Sequence, residues 1–320
     1  MTPTPVVLLT GFLGSGKTTL LNRLLGSPDF ADTAVVINEA GSVGLDHALI
    51  EKGEEDVVML EGGCICCRLR GSLNRTLNDL VRRRAKDGMG FSRVVVETSG
   101  LADPEPILHA LVADPLFVRH YAMSGVVTVV DAVHALDTLA DHVEGRMQVA
   151  LADRLLITKT DIATHRRAPL ESALTALNPM ADRLVAAEMP DAALVWLDPG
   201  AVPSRRPNRT PRCHAVPSDA VEIATASRVF PGALSRCAID DWLDHTSDLF
   251  GPALLRLKGI LQVEGVAEPV VLHGVQGLVY SPGTAPREAG RDNRMVLIAR
   301  DLPAVLLEDA LDRLAARVVH

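Results

Sequence analysis

A chain of 320 residues with 48% hydrophobic composition can bury a sizeable core, and its length predicts about two domains. A formal net charge of -8 argues against the basic face that nucleic acid or an anionic membrane surface requires, and no apolar run approaches the length of a membrane span. Of the five cysteines, three are clustered while Cys213 and Cys237 stand alone; this is no regular disulfide framework, so a reducing, cytoplasmic compartment is expected.

In chain order, short β-branched runs at 6–10, 33–38, 57–60, 93–97, 125–131 and 154–158 alternate with segments of helical period at 18–25, 71–86, 106–113 and 168–177. This alternation predicts an α/β fold, a doubly wound and mostly parallel sheet with helices on both faces and ligands at the carboxyl ends of its strands. The first run lacks the basic flank and cleavage site of a signal peptide and leads straight into a glycine-rich segment, so a strand is expected there. The basic run Arg82, Arg83, Arg84 and Lys86 reads as the solvated end of a helix, where cations complement the helix dipole. Residues 199–217 are rich in proline and arginine without hydrophobic period, which reads as a linker. Beyond it, a strand near 223–227, a helix near 238–249, strand runs at 254–263, 269–280 and 295–299, and a helix from 304 predict a smaller α+β domain on an antiparallel sheet. The expected organisation is a nucleotide domain at 1–198, a linker at 199–218 and a C-terminal domain at 219–320.

Gly11-Phe12-Leu13-Gly14-Ser15-Gly16-Lys17-Thr18 matches the Walker A pattern, between an apolar strand and an amphipathic helix, with Thr19 extending the phosphate-binding set. Its glycines let backbone N–H groups close around phosphates at a helix N-terminus. Lys17 is expected on the β and γ phosphates and Thr18 on Mg²⁺. Glu97-Thr98-Ser99-Gly100 follows an apolar strand, which puts the Glu97 carboxylate where a Walker B acid reaches Mg²⁺ and Gly100 near the γ-phosphate. Thr158-Lys159-Thr160-Asp161 ends another strand. A carboxylate at Asp161 accepts from N1–H and the 2-amino group of guanine, neither of which adenine offers, so GTP is favoured. Lys159 is placed to lie along the base, and Asn178 before Pro179 to begin a turn over the guanine. Thr158 stands where the common GTPase motif has Asn.

Cys64, Cys66 and Cys67 fall within four consecutive positions. Thiolates are soft ligands, so this cluster points to a transition metal such as Zn²⁺ or Co²⁺. Extended or helical backbone aligns only two of the three, and a turn is needed to bring all of them to one ion. A closed structural zinc site has four ligands; here a fourth must come from another loop, with Glu39, Asp46 or His47 as candidates, or the site stays open and exchangeable.

These residues together resemble the CobW-like family of metal-handling P-loop GTPases, relatives of the GTPases that help insert nickel into urease and hydrogenase. The resemblance rests on the Walker A run through Thr19, on Ile37-Asn38-Glu39-Ala40-Gly41-Ser42-Val43-Gly44-Leu45-Asp46, and on Gly63-Cys64-Ile65-Cys66-Cys67. Residues 97–104, Leu177-Asn178-Pro179, the run 254–261 and Gly274-Val275-Gln276 extend it over nearly the whole chain. Ala40 replaces the family's usual Phe, Gly63 its usual Asn, and the histidine-rich tract of many relatives is missing. The resemblance implies a GTP-hydrolysing domain bearing a CxCC metal site and a role in delivering Zn²⁺ or Co²⁺ to a metalloprotein client. Oligomeric state is open, a homodimer being one alternative.

On this reading GTP and Mg²⁺ order 38–46 and 62–67, so nucleotide and metal affinity are coupled. Hydrolysis is expected to be slow, since no glutamine follows Gly100 to orient water. Two other readings stand beside it: a P-loop small-molecule kinase, against which Asp161 counts, and a nucleotide-dependent interaction module with a structural thiol site. In the C-terminal part Trp242, Arg256, Lys258 and His273 are candidates for a client surface, against the commoner reading of alternating core positions, and Cys213-His214 for additional metal ligands.

Overall fold

The apolar run at the N-terminus forms a central strand, β1 (Thr4–Thr10), whose alternation divides the nucleotide half into two cores. Val6 and Leu8 pack on one side of the sheet and Val7 and Leu9 on the other, each set fully or nearly fully buried. The structure, a computed structural model, describes residues 3–25, 30, 32–38, 57–59, 65–68, 73–88, 90–163, 167–188, 221–275, 278–284 and 292–319.

From the N-terminus the elements after β1 are α1 (Lys17–Leu25), β2 (Thr33–Asn38), β3 (Val57–Met59), β4 (Ile65–Arg68), α2 (Leu73–Asp87), β5 (Arg93–Thr98), α3 (Pro104–Ala113) and α4 (Pro115–His120). There follow β6 (Tyr121–Asp131), α5 (Ala135–Asp141), α6 (Val143–Ala150), β7 (Arg154–Thr158), α7 (Arg167–Leu177) and β8 (Asp182–Val185). The strands form one sheet in the order β3-β4-β2-β5-β1-β6-β7-β8. All its pairings are parallel except that of β3 with β4, so the expected doubly wound sheet carries one antiparallel edge. α1 covers one face through Leu20, Leu21 and Leu24; α2, α3 and α4 cover the other through Leu77, Leu80, Leu108, Leu111 and Phe117. α2 ends in the basic turn with Arg84 and Lys86, as the composition predicts; Arg84 donates to Thr4 Oγ1 at 2.9 Å and lies over the Phe91 ring. α5 and α6 have no counterpart among the sequence expectations. α6 buries Gly145, Met147, Gln148, Val149 and Ala150, a nearly continuous run that leaves little helical stripe to detect.

The C-terminal half contains β9 (Ile223–Phe230), β10 (Ala233–Leu234), α8 (Arg236–Phe250), β11 (Leu254–Leu261), β12 (Val270–Val275), β13 (Leu278–Thr284), β14 (Asn293–Arg300), α9 (Ala304–Ala315) and β15 (Val318–Val319). Five of these strands form an antiparallel sheet in the order β13-β12-β11-β14-β9, while β10 pairs with β15. Ser235 caps α8 by accepting from Ala238 N–H, and α8 and α9 pack on the sheet around Trp242, whose indole donates to the Ala310 carbonyl at 2.7 Å. Among the described residues no helix is long and apolar enough to cross a membrane.

Trp242, Arg256, Lys258 and His273 are not a client surface. Trp242 is core, and the other three converge on Asp153 where the two halves meet. Asp153 precedes β7 and is 2% exposed; its carboxylate forms an ion pair with Arg256 and accepts from Val126 N–H at 2.9 Å, with Lys258 at 3.7 Å and His273 at 3.8 Å. Burial alone would raise the Asp153 carboxyl, but Arg256, His273 and Lys258 outweigh it and hold it well below the usual range. Burial pushes His273 down to about 4, and Arg256 and Lys258 oppose its protonation further; only Asp153 favours it. Burial likewise lowers Lys258 against the pull of Asp153. Around this charge cluster the interface is apolar: Leu255 and Val275 enter the nucleotide-domain core, and Val296 and Ile298 pack on Ala150. At the edge Arg300 pairs with Glu105 at 2.8 Å.

The turn before Asp153 is held from inside by Asn178. Its side-chain amide donates to the carbonyls of Val149, Ala150 and Ala152 at 2.8–3.1 Å and its oxygen accepts from Ala181 N–H. With the residue 2% exposed and both ends of the amide engaged, Asn178 is removed from the guanine-contacting set. Asn178→Leu should therefore lose about 2–4 kcal/mol of stability in urea unfolding, since three buried carbonyls lose a donor, while the folded variant binds GDP like the parent. A guanine contact would give the opposite pattern, with GDP affinity lost at little cost in stability.

Two buried groups give opposite pH signatures. His273 titrates near 4 in the fold against 6.5 ordinarily, so the stability it contributes is full above 6.5 and is lost as pH falls towards 4. Burial, against the pull of Arg300, raises Glu105 from 4.5 to about 7, so its contribution is full below 4.5 and is lost as pH rises through 7. Relative to the parent, His273→Gln should gain stability on acidification from pH 6.5 to 4, by at most about 1.4 kcal/mol per pH unit. Glu105→Gln should lose stability relative to the parent from pH 7 to 4.5. Urea midpoints across this range separate the two.

Candidate functional site: a P-loop beside a thiol-bearing strand

Between β1 and α1 the chain turns through Gly11, Gly14 and Gly16, with φ of 143°, 71° and 97°. Side chains rarely adopt these values. Gly11 is constrained further, because a Cβ there would run into the Val129 carbonyl of β6. Lys17 reaches back over the loop and donates to the carbonyls of Gly11 at 2.7 Å and Phe12 at 3.2 Å. The expected phosphate-binding residues, Gly11 through Thr19, thus form one strand–turn–helix unit.

Register in the sheet carries Glu97 to the same level. β1 pairs with β5 so that Leu9 opposes Glu97, and Thr98 Oγ1 donates to Thr10 Oγ1 at 2.8 Å, tying the two strand ends together. Glu97 is 3% exposed and its Oε1 accepts from Thr18 Oγ1 at 2.9 Å. A buried carboxylate touching a P-loop hydroxyl is a set of hard oxygen donors, and it fits Mg²⁺. Gly100 lies against the P-loop: a Cβ there would come within 2.8 Å of Leu13 N, so only glycine lets the two loops approach this closely.

The third wall comes from β7. Thr158 Oγ1 donates to the Ser15 carbonyl at 2.8 Å, tying this loop to the P-loop from the position where the common motif has Asn. Lys159 takes φ of 56°, a strained value for a side-chain-bearing residue, and its ammonium bonds Gly14 O at 2.8 Å and Asp131 Oδ2 at 2.7 Å. Asp131 is itself fixed by Val133 N–H donating to Oδ1 at 2.8 Å. Asp161 follows at the exposed tip of this loop. Thr158 and Lys159 are thus tied to the P-loop, Asp161 follows them at an exposed position, and Asn178 lies away from this set.

The thiol cluster falls partly outside the described residues: Cys64, Glu39, Asp46, His47, Cys213 and His214 are not among them. Cys66 and Cys67 are successive positions of the strand β4, whereas one ion taking all three thiols would need a turn. They pair with Val35 and Val36 of β2 on one side and with Val58 and Val57 of β3 on the other. Among the described residues no three metal-ligating side chains cluster elsewhere.

Three participants escape sequence reasoning. Gln148, 1% exposed on α6, donates to the carbonyls of Gly100 and Ala102, both at 3.1 Å. Asp131 holds Lys159, and Glu105 receives Arg300 from the other half of the molecule. The one available signal was a glutamine in the otherwise apolar end of α6.

Residues 5–185 match the family model described as CobW/HypB/UreG, nucleotide-binding domain, and residues 223–315 match the cobalamin synthesis protein cobW C-terminal domain. The chain is 32% identical over 310 residues to the zinc chaperone YjiA of Escherichia coli K12, covering 95% of this chain and 96% of that protein. It is 35% identical over 167 residues to zinc-regulated GTPase metalloprotein activator 1 of Schizosaccharomyces pombe, covering 50% of this chain and 40% of that protein. The crystal structure of Zn(II)-bound YjiA GTPase from E. coli aligns with a TM-score of 0.72 at 30% identity, over 98% of this chain and 99% of that one. With a P-loop in place and both family domains matched, the chain belongs to the CobW/HypB/UreG family of P-loop GTPases.

Proposed function

We propose that this protein is a zinc metallochaperone that couples metal affinity to its GTP cycle. Cys64, Cys66 and Cys67 hold Zn²⁺, or Co²⁺, as cargo for a metalloprotein client, with Glu39 or Asp46 available as a further ligand; Cys66 and Cys67 are successive positions of β4, so taking all three thiols on one ion requires this strand to leave its extended form. The P-loop amides and Lys17 hold the phosphates, Thr18 and Glu97 hold Mg²⁺, and Asp161 selects guanine. Magnesium, when bound, neutralises charge on the phosphates. The proposed organisation is a GTPase domain at 1–198, a linker at 199–218 and a C-terminal domain at 219–320, acting in the cytoplasm where thiols stay reduced.

What supports the reading is the position of β2. This one strand pairs in register with β4 on one side and β5 on the other, Val36 facing Cys67 and Val96, and Ile37 facing Arg68 and Glu97. The thiol-bearing strand is therefore two strand spacings, about 10 Å, from the strand carrying the magnesium carboxylate. A change at the γ-phosphate has a short route to the cysteines, and linkage makes the route two-way. The relatives carry the names zinc chaperone and zinc-regulated GTPase, in keeping with the same cargo.

Slow turnover is part of the same reading. The glutamine nearest Gly100 in space, Gln148, has its amide engaged with the carbonyls of Gly100 and Ala102 rather than with the space around the phosphates. A client that completes the site would then accelerate hydrolysis and release metal together.

Zn²⁺ and Co²⁺ titrations of the nucleotide-free, GDP and GTP-analogue forms test the coupling, with thiolate charge-transfer absorbance reporting Co²⁺. Metal affinity should differ by about tenfold between GDP and analogue forms, a coupling of about 1.4 kcal/mol. Equal affinity in all three states would sink the proposal. Cys66→Ala should remain folded and hydrolyse GTP at the basal rate while losing metal-dependent changes in turnover; unfolding would instead mark the thiols as structural.

A further inference from the structure

The loop that follows the magnesium carboxylate is anchored mainly by side chains, and one of its anchors comes from the C-terminal domain. It leaves β5 at Thr98, passes Gly100 against Leu13 of the P-loop, and enters α3 at Pro104. Gln148 holds it midway through the Gly100 and Ala102 carbonyls. At its far end Asp103 caps α3 by accepting from Glu105 N–H at 2.9 Å, and the Glu105 carboxylate receives the Arg300 guanidinium at 2.8 Å. Glu105 is 4% exposed and the Arg300 side chain 22%, so the pair is partly buried.

Arg300 has a rigid base. It ends β14, where it pairs with Ile223 of β9. The next residue, Asp301, closes the strand end by exchanging hydrogen bonds with Glu222: Asp301 N–H to Glu222 O at 2.8 Å and Glu222 N–H to Asp301 Oδ1 at 3.1 Å. The C-terminal sheet is fixed on the nucleotide domain by the Asp153 cluster and by Leu255 and Val275. Displacing the loop therefore changes a contact between domains, and displacing the C-terminal domain pulls on the loop.

We infer that Arg300 is a positioning residue for the GTPase site: through Glu105 it fixes the 99–105 loop, whose Gly100 packs on the P-loop, so the seating of the C-terminal domain and the γ-phosphate state set one another. A partner that grips the C-terminal domain thereby acquires a handle on hydrolysis without touching the nucleotide. The inference rests on GTP hydrolysis at the P-loop and is independent of what the thiols carry.

The test uses the full chain at pH 8, where Glu105 is ionised, and compares Arg300→Met, Arg300→Lys, Glu105→Gln and the Arg300→Met/Glu105→Gln double variant. GTP turnover, affinity for GDP and for a non-hydrolysable GTP analogue, and hydrogen exchange over 99–105 are measured. Arg300→Met should change kcat or analogue affinity about fivefold, leave GDP affinity within twofold and speed exchange in the loop; Arg300→Lys should restore most of the parent behaviour. Glu105→Gln should reproduce the effect, and the double variant should be no more affected than either single one. If Arg300→Met does not fold, the nearly isosteric Glu105→Gln carries the same comparison. Unchanged kcat and analogue affinity in Glu105→Gln, equal losses for GDP and analogue, or full additivity in the double variant would each overturn the inference. A parent that binds the analogue but turns over no GTP would refute the hydrolytic reading, while the affinity and exchange measurements still decide on Arg300.

Discussion

A single carboxylate, Asp153, sets how the two halves of this molecule sit. It is buried at the junction, and leaving it unpaired there would cost several kcal/mol. Arg256, Lys258 and His273 surround it from two adjacent strands of the C-terminal sheet, and Val126 N–H satisfies its other oxygen. Such a pair adds little net stability over an apolar junction, because desolvation consumes much of the Coulombic gain. Its effect is on registry: apolar contacts such as Leu255 against the nucleotide-domain core tolerate sliding, whereas a buried ion pair has one good geometry. Fixing β11 and β12 over Asp153 also fixes β14, their neighbour in the sheet, and with it the approach of Arg300 to Glu105.

The nucleotide side is held by a different kind of constraint. The P-loop is braced by β6 at Gly11, by Gly100 from the loop after β5, and by Thr158 and Lys159 from β7. Each brace acts on the backbone that presents the N–H groups of the glycine-rich turn. The strain of a left-handed Lys159, on the order of 1–3 kcal/mol, is offset by its bonds to Gly14 and Asp131.

The sequence-legible parts are those whose physics is local. The Walker A turn needs glycines at fixed spacing between a strand and a helix, and every residue of that requirement lies within one short run. The strand-to-helix alternation and the antiparallel C-terminal sheet follow from local period for the same reason. Illegible residues act across long separations: Gln148 bonds Gly100, Arg256 pairs with Asp153 and Arg300 with Glu105, and nothing near any of them in the chain announces its partner. Asn178 misleads because a turn-forming Asn before Pro looks the same whether its amide faces a ligand or three carbonyls of a neighbouring turn. The spacing of the thiols left their backbone open, and the described positions Cys66 and Cys67 are extended for a tertiary reason: with β2 on one side and β3 on the other, a strand there gains two ladders of hydrogen bonds.

These anchors divide the site into parts of unequal stiffness. The P-loop and the loop after β7 are tied to each other and to a central sheet. The 99–105 loop is also tied to them, and its holds include a glycine contact, a glutamine amide and an ion pair. A net hydrogen bond contributes about 1 kcal/mol and a partly buried ion pair a similar amount, so the loop can exchange these contacts within the free energy that binding a phosphate supplies. A ligand shifts a conformational equilibrium only by the difference in its affinity for the two states. An element matched to a difference of that size is one held through separable contacts, and those of Gln148 and Arg300 reach this loop from α6 and from the C-terminal sheet.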